Sequence, residues 1–94
     1  MPTLAEVKKA LRIDNTFSDS IIQQIMDSGE SSLFVTIGYD TDALEPNVSD
    51  QDKFERLLKV YIVEYVRSLY FQIDNQKALD AIQTQMEALV VVEE

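Results

Sequence analysis

Any chemistry in this chain would have to come from carboxylates, hydroxyls and amines, because it carries 17 acidic and 8 basic residues but no histidine and no cysteine. Without imidazole or thiolate, general-base and nucleophile roles fall to Asp, Glu, Ser, Lys or Tyr. Disulfides and zinc sites of the Cys/His kind are excluded. Only two glycines occur, which leaves no room for a phosphate-cradling glycine loop, a nucleophile elbow or a dinucleotide fingerprint. No arrangement of residues therefore argues for an enzyme. An enzyme reading would need a dry, concave pocket that nothing here predicts. No cofactor and no metal site is expected.

Two charged clusters have residue types that could form a site. Asp40, Asp42 and Glu45 resemble the opening of a calcium loop. Counted from Asp40, however, the fifth position is Leu44, the sixth is Glu45 where glycine is needed, and the twelfth is Gln51 where glutamate is needed. The segment 39–48 reads instead as a solvated acidic loop. The basic stripe Arg56, Lys59 and Arg67 could meet DNA phosphates or an acidic surface of a neighbouring copy. It could equally be a solvent face with intrahelical pairs, such as Lys59 with Glu55 or Glu64. The pair Tyr61 and Tyr65 reads as core.

The elements that would position these groups are helices. At 94 residues the chain makes one domain, 1–94, with a composition (46% hydrophobic, 27% charged) that suits a globular core. Scarce glycine and proline favour long helices over many short strands. The longest apolar run, Ala88 to Val92, is far too short to span a membrane. The first residues carry charges throughout and do not resemble a signal peptide. A net charge of −9 repels phosphate, which disfavours nucleic-acid binding and anionic membrane surfaces. Plain solubility also accounts for it.

The predicted fold class is all-α, with about four helices. Thr3 and Glu6 form a capping box that opens a short first helix, with Leu4, Val7 and Leu11 on one face. A second helix begins at Thr16 or Ser18, carries Ile21, Ile22, Ile25, Met26, Gly29, Leu33 and Ile37 on one face, and stops at Gly38. Its other face holds Gln23, Gln24, Asp27, Glu30 and Ser31. Gly29, costly inside a helix, marks a close approach by another helix. A third helix opens at Ser49 with Asp52 as its box partner and runs to about Gln72. Asn75 caps a fourth, in which Leu79, Ile82, Met86 and Leu89 form a narrow seam. Residues 90–94 lose the period and read as an extended, flexible tail.

The third helix carries a surplus. Phe54, Leu58, Tyr61, Ile62, Tyr65, Val66 and Leu69 make a continuous apolar face, yet Leu57, Val60, Val63, Tyr70 and Phe71 fall on or beside the polar side. A helix apolar nearly all round is covered on more than one side, and so small a chain offers little cover. These five residues form a candidate subunit interface, and Arg56, Lys59 and Arg67 candidate charge contacts across it. A charge at Val63 or Phe71 is then expected to weaken self-association more than it unfolds the monomer.

The stretch Leu4-Ala5-Glu6-Val7-Lys8-Lys9-Ala10-Leu11-Arg12-Ile13-Asp14 resembles the opening of tailed-phage head–tail connector proteins, also called adaptor or DNA-packaging proteins. The polar turn Asn15 to Ser20, the long helix from Ile21 to Gly38 and a further helix ending in Leu69-Tyr70 fit the same order. The chain departs from the family's usual alanine at Gly29, and from an Asn-Arg element after the Leu-Tyr pair, where it has Phe71-Gln72-Ile73-Asp74. The resemblance implies a structural virion protein, assembled in the bacterial cytoplasm, that forms a homo-oligomeric ring of about a dozen copies by head-to-tail contacts. Such a ring joins the portal protein to the tail, takes a tail-completion or stopper protein, and lets DNA pass without sequence-specific binding. A small acidic helical regulator of one partner protein, inhibitor or antitoxin-like, is the competing reading. It predicts a monomer or dimer with a basic target.

Overall fold

A computed structural model describes residues 2–42 and 47–91. Four helices run in chain order, α1 (Leu4–Ala10), α2 (Asp19–Ile37), α3 (Gln51–Tyr70) and α4 (Gln76–Leu89), with no strand among the described residues. The chain is all-α, as its periodicity predicts.

The predicted boundaries hold where a cap was legible. Thr3 accepts from the Glu6 backbone amide while the Glu6 side chain accepts from the Thr3 amide, a complete capping box. Gly38 ends α2 in the left-handed region, φ 77°, where a side chain would be strained. Two further left-handed residues are not glycine. Arg12 (φ 58°) and Gln72 (φ 55°) follow the caps of α1 and α3. The Ile13 amide donates to Lys8 O and the Ile73 amide to Ser68 O, the reverse-turn bonds of a Schellman stop.

Elsewhere the caps differ from expectation. Asp50, not Ser49, caps α3, its carboxylate accepting from the Lys53 amide at 3.1 Å. An acid at this end also meets the positive pole of the helix dipole. Asn75 stands at the cap of α4 but makes no cap bond with its side chain. Its Nδ2 donates to the Glu64 carbonyl and to Glu64 Oε2, each at 2.9 Å. That bond fastens the start of α4 to the middle of α3.

α3 is the hub, packed against all three other helices. Tyr70 at its end donates to Ser18 Oγ at the start of α2, while Phe54 at its start stacks near Phe34 at the end of α2. The two helices are thus antiparallel. α4 folds back in turn, so its last residues lie beside the start of α3. Val48 and Val90 form an isolated antiparallel bridge, with the Ser49 amide donating to Leu89 O and the Val91 amide to Asn47 O. Of the tail expected to be flexible, Val90 and Val91 are therefore tied down; residues 92–94 lie outside the described residues.

The core is one cluster drawn from every helix. Its fully buried members are Val7, Ile22, Met26, Leu33, Phe54, Ile62, Val66 and Met86. Burying each such side chain is worth about 1.5–3 kcal/mol before ordering costs. Gly29 sits where predicted: a Cβ built there would lie 2.6 Å from Tyr65 Cδ1, so the absence of a side chain lets α3 approach. Two residues assigned inward from periodicity turn outward instead, Ile21 and Leu69, both more than half exposed. Ile21 lies at the margin of its apolar arc, whereas Leu69 lies within its arc but in the last turn of α3.

Candidate subunit interface

The surplus apolar residues of α3 separate into two groups. Val63 is 9% exposed and belongs to the core, and Leu57 and Tyr70 are partly buried against it. This corrects the sequence expectation for Val63. Because α4 returns along α3, the buried arc of α3 is wider than a single neighbour would require, and Val63 falls inside it. Val60 (49% exposed) and Phe71 (46%) do face outward, each about half covered by its own chain. Phe71 meets the edge of the Tyr70 ring, centroids 5.0 Å apart and planes at 90°.

The basic stripe is also divided. Lys59 does not pair within its helix; its Nζ lies 2.9 Å from Glu6 Oε2 on α1. That contact, with the hydrogen bonds from Thr3, holds the exposed Glu6 carboxyl down at about 2. Arg67 Nε lies 3.3 Å from Glu64 Oε1, one turn back on its own helix. Arg56 pairs with no carboxylate among the described residues. Two of the three candidate charge contacts thus already serve the fold. Across the α1–α2 junction, Lys8 Nζ and Asp19 Oδ1 stand 2.6 Å apart.

Several exposed apolar groups escaped the sequence reading. Phe17 is 93% exposed on the turn before α2, where the Asn15 carboxamide oxygen accepts from its amide at 3.2 Å. Val35 and Ile73 are exposed as well. The signal for Phe17 lay in its neighbours: a lone aromatic among Asn15, Thr16 and Ser18 belongs to no apolar period. The antiparallel packing brings Phe17, Ile21, Phe71 and Ile73 to one end of the bundle, where α2 starts and α3 stops.

That end carries a notch lined by Ala10, Leu11, Arg12, Arg67, Phe71 and Ile73, between the C-terminal stops of α1 and α3. The other end carries a smaller cleft, about 210 Å³, between the end of α2 and the start of α3. Phe34, Tyr39 and Phe54 wall it, with Tyr39 4.7 Å from Phe34 and 4.8 Å from Phe54 between ring centroids. Glu30, Gln51 and Glu55 supply its polar groups. Burial pushes the Glu30 carboxyl above its ordinary range, and the charge of Asp27 adds to it.

Among the described residues no three carboxylates converge to hold a metal ion. The Asp40 carboxylate accepts from the Asp42 amide at 2.9 Å, a local turn contact, while Glu45 lies outside the described residues. No helix of the described residues is long and apolar enough to cross a membrane. The features that stand out are uncovered apolar side chains and unlike ends.

No curated protein and no solved structure matches the chain. A family model described as phage gp6-like head-tail connector protein matches residues 1–93, and with it come a structural role at the virion head–tail joint and association with other phage head and tail proteins. The match spans nearly the whole chain, and the chain belongs to the phage gp6-like head-tail connector family.

Proposed function

We propose that copies of this chain assemble head to tail into a ring of about a dozen, seated on the portal, that extends the channel for DNA. The carrying observation is that the monomer's core is closed while large apolar side chains, Phe17, Val35, Val60, Phe71 and Ile73 among them, stay outside it. Side chains of this size, standing out from a complete core, suit a surface that is covered on assembly. Val60 and Phe71 are the interface residues retained from the sequence reading, with Arg56 the basic group free to reach a neighbour.

The same surface chemistry fits a passive conduit. A chain with net charge −9 lines a channel with like charge to the phosphates, so the duplex slides without adhering. A tail-completion or stopper protein binds the ring on the side away from the portal. Native mass spectrometry across a concentration series tests the assembly: a closed ring of about a dozen copies supports it, and a monomer or dimer throughout favours a single-partner regulator. DNA retention at low salt tests the channel wall, and tight binding by the isolated protein would refute it.

A further inference from the structure

The two ends of the bundle are chemically complementary. Glu30, Gln51 and Glu55 bring two carboxylates and a carboxamide to a cleft walled by the stacked rings of Phe34, Tyr39 and Phe54. Acidic groups beside aromatic faces suit a planar cation. A guanidinium offers five N–H donors in a fixed fork and stacks on rings, whereas an ammonium does neither so well.

The chain itself carries such a group in a fitting place. Of its three arginines, Arg67 is held by Glu64, and Arg56 lies at the same end of α3 as the cleft. Arg12 lies at the opposite end, exposed at the rim of the notch, with the half-exposed Phe71 and Ile73 beside it. From Asp19, where α2 begins, to Glu30 the helix rises about 17 Å. Arg12 therefore cannot fill the cleft of its own copy. A contact between two different ends of like copies is heterologous, the kind that closes into a ring by rotation.

We propose that Arg12 of one copy enters the Phe34–Tyr39–Phe54 cleft of the next, donating to Glu30 and Gln51, while Phe71 and Ile73 pack against the cleft rim. This assignment rests on the ring reading and names the faces that meet. It gives the half-buried Glu30 carboxylate a cation from the next copy, and it explains a pair of arginines and two apolar groups beside one notch.

The test uses the absence of native cysteine. Thr41→Cys places a thiol at the cleft and Ala10→Cys one at the notch, and neither removes a proposed contact. The two variants are mixed at equal concentration and treated with a short bismaleimide, with native mass spectrometry of the untreated protein alongside. Cross-links between unlike variants should exceed those between like variants. Glu30→Arg, or the milder Glu30→Gln, should lower their yield, about tenfold for the reversal, and Glu30→Arg with Arg12→Glu should restore it. Circular dichroism confirms that each variant is folded. A ring in the mass spectrum with no excess of unlike cross-links overturns the cleft assignment and leaves the ring standing. A monomer in the spectrum with no cross-links overturns both. Unlike cross-links that persist unchanged in Glu30→Gln and Glu30→Arg show that the ends meet without this cation, which also overturns the assignment.

Discussion

Replacing Gly29 by alanine should destabilise the domain, against the ordinary expectation for an exposed stretch of helix. In a helix interior alanine is favoured over glycine by about 1 kcal/mol. Here the added Cβ would meet Tyr65 Cδ1 at 2.6 Å, Cε1 at 2.9 Å and Cγ at 3.1 Å. Those atoms include the root of the ring, so no flexible tip can swing aside. The ring must shift bodily, or α2 and α3 must part, and overpacking of this kind costs about 1–3 kcal/mol. The net effect should be a loss of about 1 kcal/mol, or about 4–8 °C in Tm for a domain of this size. Urea denaturation of four proteins decides the matter: wild type, Gly29→Ala, Tyr65→Ala and the double variant. Alanine at position 65 removes every ring atom that obstructs the new methyl, so in that background Gly29→Ala should stabilise by up to about 1 kcal/mol. A coupling energy of about 2 kcal/mol between the sites follows, large for a pair of side chains in direct contact. Should Gly29→Ala stabilise the wild type as much as it stabilises Tyr65→Ala, the close approach is not what fixes glycine here.

Further expectations follow from the surface and the caps. Val63→Asp should unfold the domain by about 3 kcal/mol, because a short carboxylate there cannot reach water, whereas Val60→Asp should move stability by no more than about 0.5 kcal/mol while lowering oligomer mass. Equal denaturation midpoints for the two variants would contradict their different burial. Glu6 has its folded carboxyl lowered to about 2, so its contribution is present above the ordinary glutamate range and is lost as pH falls from about 4.5 toward 2. Glu6→Gln should therefore lower the urea midpoint at pH 6 and match wild type near pH 2; a constant offset at all pH values would refute the Lys59 contact as its cause. Gln72→Gly should stabilise by about 0.5–1 kcal/mol, since the left-handed φ of 55° strains a side chain more than glycine's extra unfolded freedom costs. A fall in Tm would show that the Gln72 side chain contributes a contact of its own.

How far the sequence could be read depended on how local the cause was. The Thr3–Glu6 box, the Gly38 stop and the tight spot at Gly29 rest on residues within a turn or on a cost intrinsic to one residue type, and all were legible. The cover over Val63 was not, because a period of 3.6 shows which side chains are apolar but not how many helices return to meet them. Lys59 chose Glu6, 53 positions away, over the nearer Glu55 and Glu64. Only the docking of α1 on α3 decides that. The cleft was hidden for a related reason. Glu30 belongs to the polar face of α2, and nothing local marks it until the turn carrying Tyr39 and the start of α3 fold over it. Asn75 shows the intermediate case: its place at the start of α4 was legible, while its bond to Glu64 was not.

The short clasp between residues 47–49 and 89–91 has a consequence for the order in which the molecule opens. Its amides at Ser49 and Val91 are each bonded to a carbonyl on the opposite segment, so neither is released by fraying of one helix end alone. Loss of the clasp frees the last turn of α4 from the start of α3, where Phe54 and Tyr39 stack. Solvent hydrogen exchange at Ser49 and Val91 should accordingly proceed at one shared rate, slower than at the exposed ends of α1, and the segment from 47 to 91 should behave as a single unit of opening. A partner that grips residues near position 48 would then steady the far end of the chain without touching it.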